Sequence, residues 1–174
     1  MNSSTLTIGG AHTGTPGLSG EQTQHERCWV CGASRADGLR LKFSKDADGT
    51  VLTEFGCPER YAGYPGVLHG GMVTTLLDAA MTHCLFALHE VAMTADLHVR
   101  FRAPVRVNTT ATIRAWQVRT RGAMEEVCAE LWQEGELRVS ARGKFIRTRI
   151  PGQGNVYHLN PQPSVPANLS KQDP

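Results

Sequence analysis

Asp78 is the single acidic residue between Arg60 and His89, and it stands seven residues beyond a glycine pair, Gly70-Gly71. Glycine at a helix start costs stability, so a helix opening with Gly66-Val67-Leu68-His69-Gly70-Gly71 implies a reason for it. Without a Cβ, such residues let another molecule approach the backbone closely. The first-turn N–H groups there have no intrahelical partner and sit at the positive end of the helix dipole. A carbonyl oxygen that gains negative charge is stabilised in such a place, which makes it an oxyanion site. At 100° per residue, Asp78 points roughly 120° from the centre of the apolar stripe, on a flank shared with Thr74. A carboxylate two turns along can act on a carbonyl held at the start of a neighbouring helix, or of its own with some reach. Taken singly, these features are ordinary: a lone acid on a helix flank is usually solvated, and glycine pairs occur in many turns. Their combination is what points to acyl chemistry.

The elements that would position these groups are legible from periodicity. Val73, Leu76, Leu77, Ala80, Cys84 and Leu88 recur at steps of three and four, which predicts one helix over about residues 69–88, on the order of 30 Å long. Before it, Leu39, Leu41 and Phe43 alternate with polar residues, Asp48-Gly49 offers a turn, and Val51 to Phe55 returns as a partner strand. A loop rich in Gly and Pro runs from Cys57 to Leu68. After the helix, Ala95, Leu97, Val99 and Phe101 alternate with Asp96, His98, Arg100 and Arg102. Three further strands are expected at about 108–120, 123–133 and 136–148, punctuated by Arg121-Gly122 and Glu134-Gly135. The order is strand, strand, long helix, four strands. One apolar helix and a set of strands with one apolar face have an economical solution, an α+β domain whose antiparallel sheet curls around the helix.

Residues 1–24 are rich in Gly, Ser and Thr and read as a disordered arm; residues 151–174 carry five prolines and read as a Pro-rich tail. The working domain is expected at 25–150. A net charge of +2 argues against bulk nucleic-acid binding, and no apolar run approaches the roughly 20 residues that span a bilayer. With no secretory signal pattern and five irregularly spaced cysteines, a cytoplasmic, reducing location is expected.

Several residues carry two readings. Cys28-x-x-Cys31 with His25 before it has the beginnings of a zinc site, with Cys57 as a fourth ligand. Only one paired cluster is present, so packed thiols are expected and no metal is assigned. Arg100, Arg102 and Arg106 suit the phosphates of a ligand as well as they suit a solvated strand face. Met72, Met81 and Leu85 fit an acyl pocket and a core equally. Trp116 and Trp132 are read as packing residues.

Tyr64-Pro65-Gly66-Val67-Leu68-His69-Gly70-Gly71, followed by Asp78-Ala79-Ala80-Met81, resembles the signature of PaaI-like hotdog acyl-CoA thioesterases. Thr94 to Phe101 with Pro104 looks like that family's next strand, and Cys28-Trp29-Val30-Cys31-Gly32 resembles the start found in one of its branches. The resemblance covers about residues 27–148. It implies a hotdog fold with about six strands wrapped around one long central helix, two protomers joined edge to edge, and active sites at their interface, with pairing into tetramers left open. It implies hydrolysis of an acyl-CoA to a free acid and CoA, with no cofactor beyond the coenzyme A of the substrate. Asp78 would be the general base or the nucleophile, the Gly71 N–H would polarise the thioester carbonyl, His69 would shape the turn, and Thr94 would sit near Asp78 across the interface. Gly70, Met72, Thr74, Tyr64, Arg100 and Arg102 would line the substrate.

One departure from the family pattern is that no Asn or Gln lies between Cys57 and Leu68, which leaves Tyr61 and Tyr64 as stand-ins for positioning water. Two other functions compete with hydrolysis. A hotdog hydratase or dehydratase would pair a His with an acid on the helix, whereas here His69 precedes the glycines and Asp78 follows them. A non-catalytic acyl-CoA-binding protein would have no use for Asp78.

Overall fold

Nine apolar side chains of one helix find cover under one curved sheet. The computed structural model describes residues 25–148. The expected arm (1–24) and tail (151–174) lie outside the described residues, as do the last two positions of the expected domain.

Helix α1, Gly70–Phe86, buries Met72, Val73, Leu76, Leu77, Ala80, Met81, Cys84, Leu85 and Phe86. It is two residues shorter at its end than the periodicity suggests. Leu88, the last member of the predicted stripe, is therefore exposed. The strands are β1 (Ser44–Lys45), β2 (Val51–Phe55), β3 (Ala62–Tyr64), β4 (Val67–Leu68), β5 (Ala92–Phe101), β6 (Ala111–Arg121), β7 (Met124–Gln133) and β8 (Glu136–Arg147). Six of them form one antiparallel sheet in the order β1-β2-β6-β7-β8-β5. Its inner face is set by alternation: Ala111, Ile113 and Ala115, then Val127, Ala129 and Leu131, then Val139, Ala141 and Phe145 are all buried. Four of these nine are alanines, which keeps the inner face shallow and lets the helix sit close to the strands. The β7–β8 hairpin turns at Glu134-Gly135, both at positive φ (55° and 77°), the backbone that a two-residue hairpin with right-handed strand twist needs.

Two expectations change. Leu39, Leu41 and Phe43 do not form a strand with β2. Instead the Leu39 and Leu41 N–H groups donate to the carbonyls of Trp29 and Val30, so this stretch serves the N-terminal loop, and only Ser44–Lys45 reaches β2. The loop from Cys57 to Leu68 holds a 3-10 turn (Glu59–Tyr61) and the β3–β4 hairpin, which delivers the chain to the helix start. The His69 N–H donates to Tyr61 O and the Leu68 N–H to Val105 O, fixing that delivery from both sides.

β5 follows α1 at once and runs back beside it, paired on one side only, with β8. It is an edge strand of ten residues.

Candidate active site

His69 is the N-cap of α1, in extended backbone (φ −60°, ψ 133°), and its side chain accepts from the first turn. The Gly71 N–H donates to His69 Nδ1 at 2.9 Å. This corrects the expected role of Gly71: its amide is already satisfied by the imidazole two residues back. The donors of the first turn that keep no partner among the described residues are those of Gly70 and Met72. His69 does shape the turn, as anticipated, by capping it. Gly63 lies against it so closely that a Cβ there would be 3.0 Å from His69 Cδ2.

At Gly71 a Cβ would lie 3.0 Å from His69 Nδ1, whereas at Gly70 it would make only ordinary contact, 3.5 Å, with the ring of Phe101, which is half-exposed over the helix start. The carbonyls of Gly70 and Gly71 accept from the hydroxyls of Thr74 (3.0 Å) and Thr75 (2.9 Å), so Thr74 braces the first turn.

Asp78 is partly buried on the flank of α1, and its Oδ1 accepts from the Thr94 hydroxyl at 2.8 Å. Thr94 is on β5 of the same chain, which corrects the expectation that it reaches Asp78 across a subunit interface. The cause is topological. β5 begins six residues after the helix ends and runs antiparallel to it, so its third residue returns alongside the middle of α1. Among the described residues Thr94 is the one hydrogen-bond partner of this carboxylate, and the second oxygen stays open.

Asp78 and Gly71 do not meet within one chain. Seven residues of helix separate them by roughly 10 Å along the axis, whereas a reacting carbonyl must lie about 3 Å from both its attacker and its oxyanion donors. A single chain thus holds the two halves of a site without assembling them.

The other expected residues divide. Tyr64 is highly exposed on the β3–β4 hairpin, and Tyr61 packs edge-on against Trp29, so Tyr64 is the tyrosine open to a ligand. Met72, Met81 and Leu85 are buried members of the core, and Met72 is a packing residue and not an exposed liner of a pocket. Arg100 and Arg102 are exposed on β5; Arg102 Nη2 donates to Ser140 Oγ at 3.3 Å. Arg106 is occupied by an ion pair with Glu134. Asp96 pairs with Lys144 at 3.4 Å. Trp116 and Trp132 lie either side of the Arg114 guanidinium on the outer face of the sheet. Phe101 was missed as a site residue because its place in the alternation marked it only as core. Cys57 is buried in the core, with the Gln133 amide as its neighbour, and lies outside the His25, Cys28 and Cys31 group, so the alternative reading of it as a fourth ligand is corrected. Gln133 itself is fully buried and anchors the Arg106–Thr109 loop through the Arg106 N–H and the Arg106 and Thr109 carbonyls. A single Gln at the end of an apolar strand pattern gives no sign of this.

One long helix clasped by a six-stranded antiparallel sheet is the hotdog architecture, and the comparisons with known proteins agree. Residues 65–140 match the family model described as the thioesterase superfamily. Over those residues, rather less than half of its length, the chain is similar to the thioesterase superfamily. The acyl-coenzyme A thioesterase THEM4 of Bos taurus is 32% identical over 83 residues, 45% of this chain and 33% of that protein. The chain therefore matches over about a third of that curated relative's length. The crystal structure of thioesterase superfamily protein RHA08564 superposes with a TM-score of 0.64 at 24% identity, covering 67% of this chain and 61% of the other. A hypothetical thioesterase from Streptococcus pneumoniae TIGR4, solved with coenzyme A, gives a TM-score of 0.59 at 18% identity, covering 62% of this chain and 88% of the other. At these identities the two structures speak for the fold.

Proposed function

We propose that the protein hydrolyses an acyl-CoA thioester to a free carboxylic acid and CoA, with Asp78 as its base. The observation that carries the proposal is the Asp78 carboxylate itself. It lies on the central helix of a domain similar to the thioesterase superfamily, oriented through one oxygen by the Thr94 hydroxyl and open at the other. In this reading the open oxygen takes a proton from water as that water attacks the thioester carbonyl. The developing oxyanion is met by the helix start, where the dipole and the unpartnered Gly70 and Met72 amides supply positive potential. The carbon–sulfur bond then breaks. Because a thiolate leaves readily, a positioned carboxylate and an oxyanion site suffice.

The separation of Asp78 from its own helix start supports a second part of the reading, a homodimer. β5 offers an edge ten residues long with unpaired backbone on one side, and Met93 and Phe101 are exposed along it. Two copies joined antiparallel along that edge bring Asp78 of one chain towards the helix start of the other. Arg100, which makes no ion pair among the described residues, and Arg102 would then face the CoA phosphates beside Tyr64. Coenzyme A in the Streptococcus pneumoniae structure is consistent with that substrate class. All five cysteines are free thiols, which suits a reducing, cytoplasmic location. No described helix is long and apolar enough to cross a membrane.

The test is release of free thiol from a series of short, long and aromatic acyl-CoAs, run beside hydration of crotonyl-CoA. Thiol release with turnover supports hydrolysis. Hydration without thiol release, or ligand binding with neither, contradicts it.

A further inference from the structure

His25, Cys28 and Cys31 lie at the far end of the domain from the glycine pair. Their ligating atoms, one per residue, all fall within 4.8 Å of one another. Cys31 Sγ is 3.7 Å from His25 Nδ1. Around a tetrahedral zinc with bonds of about 2.3 Å to sulfur and 2.0–2.1 Å to nitrogen, neighbouring S and N ligands sit roughly 3.5–3.7 Å apart. The separation is that of two ligands sharing one ion, and equally that of a thiol–imidazole hydrogen bond.

The backbone is wound to hold them there. The Cys28 N–H donates to His25 O at 2.9 Å and the Gly32 N–H to Cys28 O at 2.8 Å, closing two successive turns. Gly32 has no alternative: a Cβ there would lie 2.4 Å from Glu26 O and 2.5 Å from Cys28 O. A loop of this kind could simply pack its thiols, but two further facts speak against that. The His25 ring stands edge-on to Phe86 (centroids 4.6 Å apart) and to His83 (6.4 Å) at the C-terminal end of α1, where helix carbonyls favour a cation. And His83 Nε2 is a buried nitrogen with no hydrogen-bond partner among the described residues, one of only two such side-chain atoms.

We propose that His25, Cys28 and Cys31 bind a zinc-class divalent cation that clips the N-terminal loop to the end of α1. Binding displaces the two thiol protons and leaves His25 neutral, as its partly buried ring already favours. The fourth position is filled by water, which the half-exposed cluster admits; His83 lies outside the converging group. The site is structural: Phe86 is eight residues, about 12 Å of helix, beyond Asp78. The assignment departs from the sequence expectation of a packed thiol pair, and it does not depend on the proposed hydrolysis.

The test uses untagged full-length protein. Elemental analysis after purification with zinc supplied is expected to give about one zinc per chain, held by three protein ligands and a water. Replacing it with cobalt(II) is expected to give strong visible d–d bands of a four-coordinate ion and a thiolate-to-metal charge-transfer band. The Cys28→Ser/Cys31→Ser double variant loses both signals, and Cys128→Ser keeps them. Wild-type protein with a small fraction of an equivalent of metal and no charge-transfer band would overturn the proposal without any variant having to fold. So would metal content unchanged in a folded double variant.

Discussion

Replacing Thr94 by Val removes one hydroxyl and keeps the side-chain shape. Its only described hydrogen bond is to Asp78 Oδ1, at 2.8 Å. A hydrogen bond to a charged group contributes about 1.5–3 kcal/mol, and the exposure of Thr94 in the single chain argues for the lower part of that range. If about 1–2 kcal/mol of orientation is lost in the transition state, kcat falls roughly 5- to 30-fold, since each 1.36 kcal/mol is a factor of ten. The effect belongs in kcat and not in KM, because Thr94 acts through the carboxylate. Thr94→Ser keeps the donor and is expected to recover most of the rate. The assay is initial-rate thiol release over a range of acyl-CoA concentrations, with urea denaturation of each variant beside it. An unchanged kcat for Thr94→Val, with Asp78→Asn inactive, would refute the positioning argument. A loss confined to KM would refute it equally.

Two further outcomes concern stability. Gly143→Ala places a Cβ 2.6 Å from the ring of buried Phe145 and 3.3 Å from Met81 Sδ, so it overpacks the core against α1. A loss of about 1–3 kcal/mol in urea denaturation is expected, and unchanged stability would show that the Phe145 ring can move aside. Glu126, with Arg142 Nε at 2.6 Å and Arg119 Nη2 at 2.8 Å, has its carboxyl held down at about 2 by those hydrogen bonds, below its ordinary value of 4.5. A carboxyl lowered on folding stabilises the protein in full above the unfolded value. That contribution is lost as pH falls from about 4.5 through 2. Urea midpoints measured from pH 6 to pH 2 should therefore fall less steeply for Glu126→Gln than for the wild type, and an equal or steeper fall would contradict the assignment.

The fold was largely legible because its signals are periodic. The stripe from Val73 to Cys84 and the alternations in β5 to β8 each repeat several times, and the one helix and those four strands follow from them. What was not legible depends on single contacts. Leu39 and Leu41 alternate as a strand would, yet their amides go to Trp29 and Val30, a partner no local pattern reveals. At the site, the residue types and the spacing of Gly71 and Asp78 could be read from the chain. That the Gly71 amide is capped by His69 Nδ1, and that Thr94 reaches Asp78 within its own chain, could not. Both depend on side-chain direction at a turn and on how tightly β5 doubles back. The His25, Cys28 and Cys31 grouping was visible as spacing, but its convergence required Gly32 to let the loop close.

The measurement that bears most directly on the account is the turnover of Asp78→Asn in the thiol-release assay. The change keeps size and shape and removes only the basic oxygen, and Thr94 can still donate to the amide oxygen. A loss on the order of a hundredfold or more in kcat is predicted, as for removal of a general base, with the folded state intact. Equal rates for Asp78→Asn and the wild type would contradict the account at its centre.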